Sequence, residues 1–138
     1  MTAFAALTIN DGATTPAAHT FSPVKIYPDG VAKYADKVGG IAVGFPTVQL
    51  QIREPNKQSK AYRVFGKVQL PVLEQTSAST STGIQPAPTV AYSLFGNFDF
   101  SLPERSTKVE RSHIIAYTSN VMTNAVVSAM VKDLEDIY

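Results

Sequence analysis

The residues best suited to chemistry lie between Val48 and Leu70, in VQLQIREPNKQSKAYRVFGKVQL. Gln49, Gln51 and Arg53 alternate with Val48, Leu50 and Ile52. Further on, Arg63, Phe65, Lys67 and Gln69 alternate with Tyr62, Val64, Val68 and Leu70. The stretch Thr89–Leu102 repeats the pattern: Ser93, Phe95, Asn97, Asp99 and Ser101 fall opposite Tyr92, Leu94, Phe98, Phe100 and Leu102. Alternation at period two describes strands with one apolar and one polar face. On the polar face Arg53, Arg63 and Lys67 can neutralise phosphates, while Gln49, Gln51 and Asn97 can hydrogen-bond base edges. Phe95 is an exposed ring on which a splayed base can stack, and Phe65 can do the same or floor a pocket. Amides, cations and rings on one face favour single-stranded or hairpin RNA over duplex DNA. The plainer alternative is an ordinary sheet surface, whose rings pack on neighbours and whose cations deter edge pairing.

Catalysis finds little support. His19 and His113 have no metal-ligand spacing to each other or to a carboxylate pair, and both read as structural or surface residues. There is no cysteine, no nucleophile elbow and no phosphate-binding glycine loop, since Gly39-Gly40 and Gly44 lack the lysine such a loop needs. Asp133, Glu135 and Asp136 read as solvated acids near a helix end. The chain is therefore not expected to be an enzyme, nor to need a metal or cofactor.

The elements that must position the polar face follow from length and pattern. At 138 residues the chain holds one domain's core. The start MTAFAALTIND has no basic leader, and no apolar run is long enough to span a bilayer, so the expectation is a soluble cytosolic product with no membrane partner. The net charge of +1 is uneven: from Lys25 to Lys67 eight cations face three anions, while the remainder has four cations and eight anions. That asymmetry points to a basic patch meeting a polyanion.

Asn10-Asp11-Gly12 between two short runs predicts an N-terminal hairpin over residues 1–22. Gly30–Asp36 makes a short strand, and Glu54–Ala61, with Pro55-Asn56, closes the long hairpin. Residues 31–102 then form a five-stranded antiparallel sheet, interrupted over 74–88 by the Ser/Thr/Pro/Gly-rich stretch EQTSASTSTGIQPAP, read as a long mobile loop. Pro103 ends the last strand. Over 106–138 the character changes: Thr107 and Glu110 form a capping box, Asn124 can cap a second helix, and apolar residues recur at helical spacing. Strands first and helices last is the α+β class, with the helices available to cover the apolar sheet face. Two helices make a thin cover and are themselves too apolar for a purely internal role, which implies a homodimer with helices packing across a shared sheet.

This order of elements resembles the coat proteins of the small single-stranded RNA bacteriophages, the leviviruses. The resemblance rests on EPNKQSKAYRVFGKVQLP, SLFGNFDFSLPERST, STKVERS, GVAKYADK and the terminal Tyr138, and spans nearly the whole chain. It implies a dimer with a continuous ten-stranded sheet, assembling into an icosahedral T=3 shell, a virus-like particle whose inner lining is the polar sheet face. The segment 74–88 corresponds to the loop around the symmetry axes. By the same resemblance that face binds single-stranded genomic RNA, recognises an RNA stem-loop as a translational repressor, and shares the virion, assembled in the host cytoplasm, with a minor maturation protein. An adenine pocket then falls on Val31, Gln49, Gln51, Phe65 and Lys67, the stacking ring on Phe95 beside Asn97, and phosphate contacts on Arg53 and Arg63, aided by Lys57 and Lys60. Phenylalanine stands at Phe95 where tyrosine is usual, Gln49 and Gln51 are longer than the usual small hydroxyl residues, and Phe65 replaces a polar residue, so a different operator is expected. The alternative is a dimeric single-stranded RNA-binding module that builds no shell, which would have no need of the long loop.

Overall fold

The computed structural model describes residues 1–74, 83 and 87–138. The strands are β1 (Leu7–Asn10), β2 (Ala18–Ile26), β3 (Ala32–Ala35), β4 (Thr47–Arg53), β5 (Ala61–Leu73) and β6 (Val90–Pro103), followed by helices α1 (Lys108–Met122) and α2 (Ala125–Lys132). They form one antiparallel sheet in sequence order, β1-β2-β3-β4-β5-β6. The sheet thus has six strands, not five, and the N-terminal hairpin forms its edge. The reason lies in β2. Its first residues pair with β1, as in Ile9 opposite His19, and its last residues pair with β3, as in Ile26 opposite Ala32. A register shift between Pro23, opposite Tyr34, and Lys25, opposite Lys33, leaves Val24 as the extra residue of a bulge that bends the strand between its two neighbours.

The buried core is small and lies at this end. Phe21, Tyr34 and Val48 form it, with Leu7, Ala32 and Leu50 packed around them. The ring of Phe4 meets Tyr34 edge-on at 5.2 Å. Farther along the same face Leu50, Gly66 and Phe98 form a cross-strand row. The Phe98 ring lies directly over Gly66, where a Cβ would stand 2.3 Å from it.

Both helix starts form as their caps predict. The Thr107 hydroxyl accepts from Glu110 N and the Glu110 carboxylate accepts from Thr107 N, closing the capping box, while Asn124 accepts from Val126 N. The backbone N–H of Thr107 holds the Glu110 carboxyl below its ordinary value. The expected cover, however, is absent within one chain. Ile52, Tyr92 and Leu94 are more than half exposed on the sheet face, and so are Ile115, Val121 and Val131 on the helices. Between the first turns of α1 and the sheet runs an open apolar groove of about 670 Å³, with Leu50, Val64 and Phe100 on one side and Ile114 and Ile115 on the other. Among the described residues no single helix is long and apolar enough to cross a membrane, although α1 and α2 together, bent by 53°, have the length and composition.

The long loop expected over 74–88 lies outside the described residues except at its ends and Gly83. At its base Glu74 N donates to Thr89 O (2.9 Å) and the Thr89 hydroxyl donates to the Glu74 carboxylate (2.9 Å), joining β5 to β6.

Candidate nucleic-acid interface

Register aligns the polar side chains into rows. Lys33 faces Gln49, which faces Lys67, which faces Asn97; Gln51 faces Phe65, which faces Asp99; Arg53 faces Arg63, which faces Ser101; and Thr47 faces Gln69, which faces Phe95. Eight of the eleven residues singled out in the sequence therefore share this face: Gln49, Gln51, Arg53, Arg63, Phe65, Lys67, Phe95 and Asn97. Val31 lies just before β3, its N–H donating to the Asp29 carboxylate (3.2 Å). Lys57 and Lys60 lie apart, exposed on the β4–β5 turn. That turn is held by Asn56, whose side-chain oxygen accepts from Gln58 N (3.0 Å) and Ser59 N (2.6 Å).

Three cations reach diagonally to a neighbour rather than straight across. Lys67 Nζ lies 4.6 Å from the centre of the Phe95 ring, and the Arg53 guanidinium lies 5.3 Å from that of Phe65. Arg63 donates through Nε to both oxygens of Asp99 (3.0 and 2.9 Å), and its Nη2 also donates to Oδ2. That paired hydrogen bond raises the Arg63 guanidinium further and lowers the Asp99 carboxyl from its ordinary value, with a smaller contribution from Arg53. Arg63 is thus not an isolated cation. A shallow depression of about 310 Å³ lies between Arg53, Arg63, Lys67 and Asn97, with Asp99 at its edge. Phe95 stands beside it, 56% exposed despite its lysine.

Gln51 behaves differently from Gln49. It is buried, and its Nε2 donates to Asp29 O (2.5 Å), bracing the turn between β2 and β3. Its Oε1 is buried with no hydrogen-bond partner in this structure.

Two further residues of this face, Lys33 and Asp99, were not among the eleven. Lys33 extends the Gln49–Lys67–Asn97 row, and its alternation with the apolar Ala32 and Tyr34 carried the signal. Asp99 was on the correct face, but its pairing with Arg63 depends on register, which alternation does not fix. Both histidines occupy structural or surface positions. His19 lies between the carboxylates of Asp11 and Asp36, 3.0 Å from each, although nothing in their spacing announces it. His113 stacks on Tyr117, one turn along α1. Among the described residues no group of three or more His, Asp or Glu could hold a metal ion.

The profile of the levivirus coat protein family matches residues 2–138. The chain belongs to this family. Among solved structures, this coat protein is similar to the virus-like particle of bacteriophage ESE058, at 29% identity and a TM-score of 0.87 over 97% of this chain and 98% of that one. It is similar to the virus-like particle of bacteriophage NT-214 at 28% identity, with a TM-score of 0.85 over 97% and 98%. The bacteriophage GA capsid protein shares the fold, with a TM-score of 0.76 at 14% identity over 98% of both chains. No curated protein matches the sequence. A levivirus coat protein is a structural component of the virion and not an enzyme, in keeping with a face built from cations, amides and rings.

Proposed function

We propose that this coat protein works as a homodimer that assembles into an icosahedral shell, with the polar sheet face turned inward on single-stranded RNA. One observation carries the reading: the two faces of the sheet are unfinished in complementary ways. The apolar face and the helices leave large side chains bare, as a surface completed by a second copy would. The opposite face presents Phe95 and Phe65 with Lys67 and Arg53 over their rings, beside the amides of Gln49 and Asn97. The amides of Gln49 and Asn97 can meet base edges, a base can stack on Phe95, and released Lys67 and Arg53 can meet phosphates. The same contacts would let the dimer hold an RNA stem-loop and repress translation from it. The maturation protein is a further proposed partner in the virion.

Purification of the recombinant protein by size exclusion, with absorbance at 260 and 280 nm and electron microscopy of the excluded peak, tests both halves. The expected result is closed particles with co-eluting nucleic acid, and particles lacking that nucleic acid for Arg53→Glu with Lys67→Glu. A stable dimer that never forms particles would favour the shell-less binding module. Particles with unchanged RNA content in the double variant would remove the RNA role of this face.

A further inference from the structure

His19 sits on β2 with its two ring nitrogens engaged by different carboxylates, Nε2 by Asp11 Oδ2 and Nδ1 by Asp36 Oδ2, each at 3.0 Å. A neutral imidazole has one N–H and one lone pair, so it can serve only one of them. The other nitrogen would then face a carboxylate oxygen lone pair to lone pair. Both contacts are satisfied together only by the imidazolium.

Each carboxylate is fixed in its own turn. The Asp11 Oδ1 accepts from Ala13 N (3.1 Å) and Ala17 N (3.0 Å), organising the turn between β1 and β2. Asp36 is buried, with Oδ1 accepting from Val38 N (3.1 Å) and its own N–H donating to Pro46 O (3.0 Å) at the junction of β3 and β4. The ring therefore joins two segments that share no strand pairing. On the β1 side its partner in register is the uncharged Ile9. The charged groups acting on it are Asp11 and Asp36, and among the described residues the ion pairs of both carboxylates run to His19.

We propose that His19 is a proton-operated strap: charged, it locks the Asp11–Ala17 turn, and β1 with it, onto the β3–β4 junction; neutral, it lets that corner of the sheet open. What opens is not trivial, because β1 is an edge strand of four residues whose Leu7, with Phe4 upstream, packs on the small core at Tyr34. The titration behaviour agrees with the geometry. Hydrogen bonding to Asp11, and then to Asp36, holds the His19 ring above its ordinary value of 6.5. A raised histidine contributes stability that is complete below 6.5 and is lost as pH rises through the higher folded value. Asp11 is lowered, first by the Ala17 N–H and then by His19, so its contribution is complete above 3.8 and fails only at more acid pH. The strap is closed between these limits and opens on the alkaline side.

Hydrogen exchange read by mass spectrometry on the full-length protein, from about pH 5 to 9 to span the histidine titration and corrected for intrinsic exchange, tests this. Peptides covering β1 and residues 11–17 should lose protection as pH rises, while β5 does not. The fold-loss should equal the ratio of the His19 acid constants in the open and closed corner, the latter read from its ring proton shifts. His19→Gln should leave that corner poorly protected and independent of pH, and His113→Gln should behave as the parent protein. Should His19→Gln fail to fold, Asp11→Asn supplies the second reading, because losing one carboxylate should move the transition to lower pH. Flat protection in the parent protein, a slope retained in His19→Gln, or an unmoved transition in Asp11→Asn would each overturn the proposal.

Discussion

Replacing Gly66 with alanine asks whether the middle of the sheet is held by close approach or by open space. The new Cβ would stand 2.3 and 2.4 Å from two atoms of the Phe98 ring and 3.0 Å from Leu50 Cδ2. No real Cβ contact is that short, so the ring must swing away, and overpacking of this kind costs about 1–3 kcal/mol. Alanine also removes the conformational cost of glycine in a strand, about 0.5–1 kcal/mol in the other direction. Steric cost wins, leaving Gly66→Ala destabilised by about 1–2 kcal/mol. In a Phe98→Leu background the blocking ring is gone, and the same change should become neutral or stabilising. Urea denaturation of the four proteins at one fixed concentration measures the cycle. Equal destabilisation by Gly66→Ala in both backgrounds would refute the reasoning, since the effect would then not pass through Phe98.

On the polar face, Asp99→Asn releases Arg63 from its paired hydrogen bonds. Binding to single-stranded RNA should then tighten at low salt, with the slope of log affinity against log salt steeper by about 0.7 for one added phosphate contact; an unchanged slope means Arg63 does not reach the backbone. Phe95→Ala should weaken a selected RNA hairpin more than bulk RNA in a filter-binding competition, and equal losses would make the ring structural. At the start of α1 the Glu110 carboxyl is lowered below 4.5 mainly by the Thr107 N–H, so its contribution is complete above that value and fades as pH falls through the lower folded one. Glu110→Gln keeps an acceptor for that N–H and should flatten the acid limb of a thermal melt recorded against pH. A limb as steep as the parent's would assign it to other carboxylates.

The parts of the fold that show in the sequence are those written in local periodicity. β4, β5 and β6 alternate cleanly, and Thr107 with Glu110 marks the start of α1 to the residue. The first half of β2 was legible as the second arm of the N-terminal hairpin, but its continuation to Ile26 was not, because AHTFSPVKI alternates poorly. The bulge just after Pro23, by which one strand serves two neighbours, has no signal in that alternation. The polar face was legible as a set of residue types, but its pairings were not. Lys67 over Phe95, Arg53 over Phe65 and Arg63 on Asp99 are all diagonal contacts, set by register and twist. The Asp11–His19–Asp36 bridge joins a strand to two separate connections and leaves no trace in spacing.

The position of the core has a consequence in time. Among the described residues the buried apolar side chains lie on β2, β3 and β4, whereas the long β5–β6 ribbon and both helices leave theirs partly or largely exposed. A newly made chain therefore has one corner it can complete alone and a larger part that waits for company. If that company is a second copy, the last step of folding is a collision, and its rate climbs with the square of the amount of protein present. Early in synthesis such chains would spend long periods half-finished and open to proteases. At higher concentration they would finish sooner after synthesis, and the supply of assembly-ready subunits would rise more steeply than in proportion to translation.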